Sequence, residues 1–180
     1  MRERPSVLAA ALPLALLSLG ACSGAIELTN ASIEEVASAT GTVEKPQAGQ
    51  WKTDTRLVSF DAGADRTPAA AAIREQVGDT TTTEACLSDE DAARPLFGDL
   101  STAAGANCRF RRFILKDGQL DAEMTCRNAG GETLSVAQKG RYSSTAVDLT
   151  ATVRRGGVTA QAGGMVTRIV AERTGDCAEE

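Results

Sequence analysis

The sequence predicts a mainly β fold with a minor α part: an antiparallel meander sheet, curved or partly closed into a barrel, with two short helices packed on it. Three observations carry that expectation. Leu120 to Cys126 alternates strictly, with Leu120, Ala122, Met124 and Cys126 on one face and Asp121, Glu123 and Thr125 on the other. Val147, Leu149, Ala151 and Val153 repeat the same period between polar residues. Turn signals at Asp117-Gly118, Asn128 to Glu132, Ser143 to Ala146 and Arg155-Gly156 separate these stretches by short intervals.

The chain begins with a different pattern. Arg2 and Arg4 precede an apolar run from Val7 to Leu19, interrupted by Pro13 and Ser18. That is a basic region followed by a hydrophobic one too short for an ordinary spanning helix. It ends in Leu19-Gly20-Ala21-Cys22, which resembles a bacterial lipobox. Residues 1–21 are therefore expected to be a signal peptide, and Cys22 a lipidated N-terminus that contacts the membrane through its acyl anchor. Ser23, where an Asp would resemble inner-membrane retention, points to an outer-membrane lipoprotein facing the periplasm. The alternative is an ordinary cut after Ala21, leaving a soluble periplasmic protein. Five cysteines less an acylated Cys22 leave four, an even number suited to disulfides in an oxidising compartment.

The formal charge of the whole chain is −5. Residues 1–21 hold Arg2, Arg4 and Glu3, net +1, so −6 remains after cleavage. That acidity argues against nucleic acid as a partner, since nucleic acid needs clustered Lys and Arg. It also disfavours electrostatic adhesion to anionic lipid. The length suits one domain, and at 3% aromatic residues the core must come from Val, Leu, Ile and Ala. Disulfides would help so thin a core.

Residues 22–48 read as a lipidated tether. Within it Ser32 and Glu35 form a capping box for a short helix over Ile33 to Ser38, and Thr40 to Gly49 is a polar linker. Residues 49–180 read as a single disulfide-bonded β-domain. Its first strand runs from Gln50 to Phe60. Thr67 then caps a helix with Pro68 at its first position and Gly78 at its stop, with Ala69, Ala72, Ile73 and Val77 on one side. Thr80 to Cys86 is rich in β-branched residues and suits a strand paired with the first. Ser88-Asp89-Glu90-Asp91 lacks the Gly and the distal Glu of a calcium loop, and reads instead as a helix start with Ser88 as cap. Pro95 and Gly98 should close that helix.

The central hairpin runs from Cys108 to Cys126. A two-residue turn at Asp117-Gly118 would set Cys126 opposite Arg109. A three-residue loop, Lys116-Asp117-Gly118, instead pairs Ile114 with Leu120, Phe110 with Met124 and Cys108 with Cys126, and sets Arg111 against Glu123. The second register is expected, with a Cys108–Cys126 disulfide. The remaining bond would then be Cys86–Cys177, although sequence leaves the other connectivities open. In this register Arg112 falls on the inward face opposite Ala122. Either it snorkels to the sheet margin, the preferred reading, or it holds an anion in a cleft.

Further along, Leu134, Val136 and Tyr142 share the inner face, with Leu134 opposite Cys126 and Val147 against Tyr142. Val158, Ala160 and Ala162 continue it. The parity then shifts at Gly163-Gly164 to Met165, Ile169 and Ala171, which suggests a bulge or bend.

Gly49 and Trp51, the Cys-Leu-Ser-x-Glu step from Cys86 to Glu90, Cys108, Cys126, the Gly-x-Tyr-Ser from Gly140 to Ser143 and the closing Arg-Thr-Gly-Asp-Cys from Arg173 to Cys177 form one set. Together they resemble the domain-of-unknown-function family numbered 3617, envelope proteins of proteobacteria often described as lipoproteins. The resemblance covers about residues 49–177, and the four-cysteine spacing is its most specific part. The Met-rich and Gly-rich segments common in relatives are scarce here. The resemblance implies no activity, substrate or catalytic residue.

The available chemistry narrows the function. The chain has no histidine, which removes Ser-His-Asp and Cys-His nucleophile systems and imidazole metal sites. There is no Cys-x-x-Cys, no phosphate-cradling Gly loop and no Ser-x-x-Lys, so no cofactor and no metal is expected. Arg109, Arg111 and Arg112, interleaved with Phe110 and Phe113, read as a solvated strand face. The expected protein is not an enzyme but a non-catalytic envelope lipoprotein that binds a protein partner or serves assembly at the outer membrane. The alternative is a carrier of a small apolar ligand, with Arg112, Trp51 and Tyr142 around its cleft. A hydrolase with a carboxylate site ranks below both.

Overall fold

The computed structural model describes residues 24–94, 107–127, 131–156 and 163–178. Eight strands form one antiparallel sheet that does not close into a barrel. They are β1 (Ile26–Ala31), β2 (Gly49–Asp61), β3 (Thr80–Leu87), β4 (Asn107–Lys116), β5 (Gln119–Arg127), β6 (Thr133–Tyr142), β7 (Ala146–Gly156) and β8 (Gly163–Gly175), in the order β1-β4-β5-β6-β7-β8-β2-β3. β4 to β8 form the expected meander. β2 joins its far side antiparallel to β8, and β1 and β3 are the edges. Among the described residues three short α-helices, α1 (Ile33–Ala39), α2 (Pro68–Glu75) and α3 (Asp89–Ala93), and a 3-10 turn at Thr40–Thr42 accompany the sheet. The signal peptide, Cys22, the helix stop at Pro95 and Gly98, and Val158, Ala160 and Ala162 lie outside the described residues.

The segment expected to be a tether belongs to the fold. β1 pairs with β4 along its length, Ile26 opposite Leu115 and Ala31 opposite Phe110. α1 forms for the expected reason: the Ser32 hydroxyl accepts from the Glu35 N–H at 3.1 Å, and the Glu35 carboxylate accepts from the Ser32 N–H at 2.6 Å. Yet this helix buries Ile33 and Val36 completely or nearly so, and Val36 is 0% exposed. The hidden signal is the apolar pair Ile33 and Val36 at helical spacing, with Ile26 and Leu28 alternating before it.

The buried core sits beneath α1, on the inner face of β4 and β5. It joins Ala31, Ile33 and Val36 to Phe110, Phe113, Leu115, Leu120, Ala122, Met124 and Cys126. The β5 alternation is as expected, but the hairpin register is a compromise between the two alternatives. Asp117 and Gly118 both adopt left-handed backbone, with φ of 49° and 71°, and make a two-residue turn that pairs Lys116 with Gln119. Cys108 still faces Cys126 and Phe110 still faces Met124, because the ladder shifts between Phe110 and Arg112 and leaves Arg111 as an extra residue. This bulge places Phe110 and Phe113, three residues apart, on one face. Their rings meet edge to face with centroids 5.6 Å apart. The inward position of Arg112 is therefore corrected: it lies in register with Glu123 on the outer face.

Two other expectations change. Gly163 and Gly164 pair regularly with Arg155 and Arg154, so they open β8 and do not form a bulge. Their lack of a side chain serves close approach, since a Cβ on Gly164 would stand 2.8 Å from the Val153 carbonyl oxygen. The irregularities of the β2–β8 ladder lie elsewhere: Thr174 of β8 is surplus opposite Gln50/Trp51, and Val58 of β2 is surplus between Leu57 and Ser59. α2 begins as expected, with Thr67 Oγ1 accepting from the Ala70 N–H at 3.3 Å and Pro68 at its first position. It buries only Ala70, while Ile73 and Val77 stay 37% and 39% exposed. α3 is capped by Ser88 and buries Ala92. The cover expected of α2 and α3 comes chiefly from α1.

Candidate functional site

Both expected disulfides are present. Cys108–Cys126 joins directly opposed residues of β4 and β5, with Cα atoms 4.0 Å apart. Cys86–Cys177 ties β3 to the chain just beyond β8, across β2.

Trp51 and Tyr142 come to the same end of the sheet, where the chain between α1 and β2 crosses over. The Tyr142 hydroxyl donates to the Glu44 carbonyl at 2.8 Å, and the Trp51 indole donates to the Gln47 carbonyl at 2.9 Å. Gln47 N–H donates to the Ser144 carbonyl at 2.8 Å, and Arg173 Nε donates to the Ala48 carbonyl at 2.7 Å. Burial, with the Glu44 charge second, pushes the Tyr142 phenol up to about 12. These groups fasten the crossover, so Trp51 and Tyr142 act as structural anchors. Arg173 and Lys45, which donates to the Ala93 carbonyl, complete the fastening; Arg173 opens the Arg-Thr-Gly-Asp-Cys segment of the resemblance, whereas Lys45 carried no sequence signal beyond its charge.

Arg112 is not among them. It pairs with Asp121 at 2.6 Å on the outer face, its side chain 41% exposed, and Lys139 approaches the other Asp121 oxygen at 3.4 Å. The three residues expected around one cleft are thus divided between two faces.

Several charged groups of the outer face have cross-strand partners: Arg111 with Glu123 at 3.3 Å, and Arg168 with Asp148 through two hydrogen bonds of 3.1 and 3.0 Å. The Arg168 contact holds the Asp148 carboxyl below its ordinary value. The Thr67 N–H and hydroxyl do the same to Asp65, and the Glu34 backbone N–H with Ser32 to Glu34. Every carboxylate with a displaced pKa among the described residues moves down. A general acid at neutral pH needs the opposite shift. Among the described residues no group of three or more acids and cysteines is placed to hold a metal ion.

What remains is an apolar strip. Val136, Val153, Met165 and Phe60 are successive register partners across β6, β7, β8 and β2, on the inner face. Leu149 and Ile169 form a parallel row beside them. Val136 and Leu149 pack against the α1 core, whereas Met165, further out, is 38% exposed. Phe60, Val153 and Met165 also line an open depression of about 410 Å³. A larger one of about 560 Å³ lies at the hairpin end, with Asp117, Arg141, Tyr142, Asp148 and Glu172 in its lining. Neither is an enclosed apolar chamber.

A family model described as "Protein of unknown function (DUF3617)" matches residues 46–177. No curated protein matches the chain. A solved structure described as the monomer form of the PknI sensor domain of M. tuberculosis aligns over 76% of this chain and 92% of its own, at 15% identity and a TM-score of 0.28. A likeness that low bears on neither fold nor function.

Proposed function

The chain belongs to the DUF3617 family of proteins of unknown function, and from that premise we propose that it is a non-catalytic lipoprotein of the cell envelope whose sheet binds a partner protein. Its anchor is the acylated Cys22, and its place is the periplasmic side of the outer membrane. The observation that carries the binding role is the apolar strip Val136–Val153–Met165–Phe60, which runs out of the core to a half-bare Met165. Such a surface loses contact with water only when another body lies on it. The ion pairs on the outer face and the lowered carboxyls of Glu34, Asp65 and Asp148, with none raised among the described residues, support binding over catalysis.

The test is a photo-crosslinking side chain at Met165, compared with one at the exposed outer-face Arg56, in cells of the native host. The expected result is a discrete protein adduct from Met165 and none from Arg56. Adducts of lipid size alone would favour the apolar-ligand carrier, and equal labelling at both positions would overturn the binding strip. Replacement of Cys22 by Ser should move the protein from the membrane to the soluble fraction, and unchanged fractionation would refute the anchor.

A further inference from the structure

The structure bears on how an anchored chain would stand on its membrane. β1 begins at Ile26, and Ile26 is locked opposite Leu115 of β4. From Cys22 to Ile26 is four residue steps, at most about 14 Å of extended chain. Strand direction then decides which end of the sheet lies near the anchor. Because the meander is antiparallel, the start of β1 shares its end with the Asp117-Gly118 turn, the Ser143–Thr145 turn and the end of β8.

We propose that the sheet stands upright on a phospholipid surface by this turn end, with only the four residue steps from Cys22 to Ile26 between anchor and sheet. The inference rests on the Cys22 anchor proposed above and adds an orientation to it. The turn end suits headgroups: Glu44, Lys116, Asp117 and Arg141 are exposed there, polar and of both signs, and Val170, 37% exposed, stands in the lining of the depression beside them. The 560 Å³ depression beside Tyr142 then lies at headgroup level. The Met165 strip lies further up: Val153 stands four residues beyond Leu149 on β7, about 13 Å farther from the turns. The orientation therefore holds the binding strip clear of lipid and open to a periplasmic partner.

Two exposed cations on β4 report it. Lys116 adjoins the start of β1, and Arg109 lies toward the other end, about 20 Å away along the strand. The acylated full-length protein, as Lys116→Cys or Arg109→Cys carrying a fluorophore, is reconstituted into phosphatidylethanolamine–phosphatidylglycerol vesicles with a headgroup-attached nitroxide quencher. Quenching should be several-fold stronger at Lys116 than at Arg109. Insertion of twelve Gly/Ser residues between Ser23 and Gly24 should erase that difference while flotation with vesicles persists. Flotation with equal quenching at both positions, or stronger quenching at Arg109, overturns the orientation and leaves the anchor standing. Failure of the acylated protein to float overturns the anchor and the orientation together.

Discussion

The Tyr142 hydroxyl reaches across 98 residues of sequence to the Glu44 carbonyl at 2.8 Å, and so ties the end of β6 to the crossover that leads into β2. Tyr142→Phe removes one hydrogen bond from a half-buried site and should cost about 1 kcal/mol at neutral pH. The alkaline limb is more telling. A phenol whose pKa is about 12 folded and near 10 unfolded contributes stability that is fully present below about pH 10 and lost as pH rises toward 12. Discounted for partial exposure, that is on the order of 1–2 kcal/mol. Denaturant titrations from pH 8 to 12 should show a fall that is shallower in Tyr142→Phe; parallel curves would refute it.

Removal of either disulfide should be felt in proportion to the loop it closes. The separations are 91 residues for Cys86–Cys177 and 18 for Cys108–Cys126. The chain-entropy account gives about 4.6 and about 3 kcal/mol respectively. Paired serine replacements compared by thermal melting should follow that order. Non-reducing peptide mapping should recover only these two linkages.

If α1 belongs to the core and is not a tether, truncating Val36 must destabilise the whole sheet. Val36→Ala should cost about 2 kcal/mol and Phe113→Ala about 3–5 kcal/mol, since both side chains are wholly buried. A Val36→Ala protein with an unchanged denaturation midpoint would show that residues 33–39 fold independently of β4 and β5.

Gly140 has no room for a side chain: a Cβ would lie 2.0 Å from the Asp148 carbonyl oxygen of the neighbouring strand, and its φ is +153°. Gly140→Ala should cost at least about 3 kcal/mol or prevent folding. Gly156→Ala, where the nearest atom is the Thr133 hydroxyl at 3.3 Å, should cost far less. Comparable losses at both positions would contradict this packing of β6 on β7.

The meander, the Cys108–Cys126 disulfide, the three helix starts and the Tyr142–Val147 register were legible because each has a local cause: period-two alternation, a capping side chain or a short loop. Cys86–Cys177 followed only as the remaining pair. Arg112 was misplaced because strict alternation was extended through β4, where one residue is surplus. The correction was available in principle, since an Asp-Gly turn and opposed cysteines cannot coexist without an odd residue between them. From sequence, the cover of the sheet falls to the helices that start at Thr67 and Ser88, because the segment that holds α1 reads as a tether. Helical spacing tells which residues share a side but not what lies against it, and Ile73 and Val77 are left partly bare. Parity puts Val136, Val153 and Met165 on the inner face, but not that Met165 stays partly bare, because half-burial depends on what another segment leaves uncovered.

The surplus position of Arg111 in the β4–β5 ladder bears on how the hairpin was assembled. Its excision would restore an even cadence to β4 and still leave Cys108 facing Cys126, with Asp117 and Gly118 free to reverse the chain as before. The strand is thus one unit longer than its latch demands, and the spare unit sits beside Phe110 and Phe113, whose rings would share a face without it. A shortened hairpin should oxidise normally, and what it gives up should be local twist, not closure.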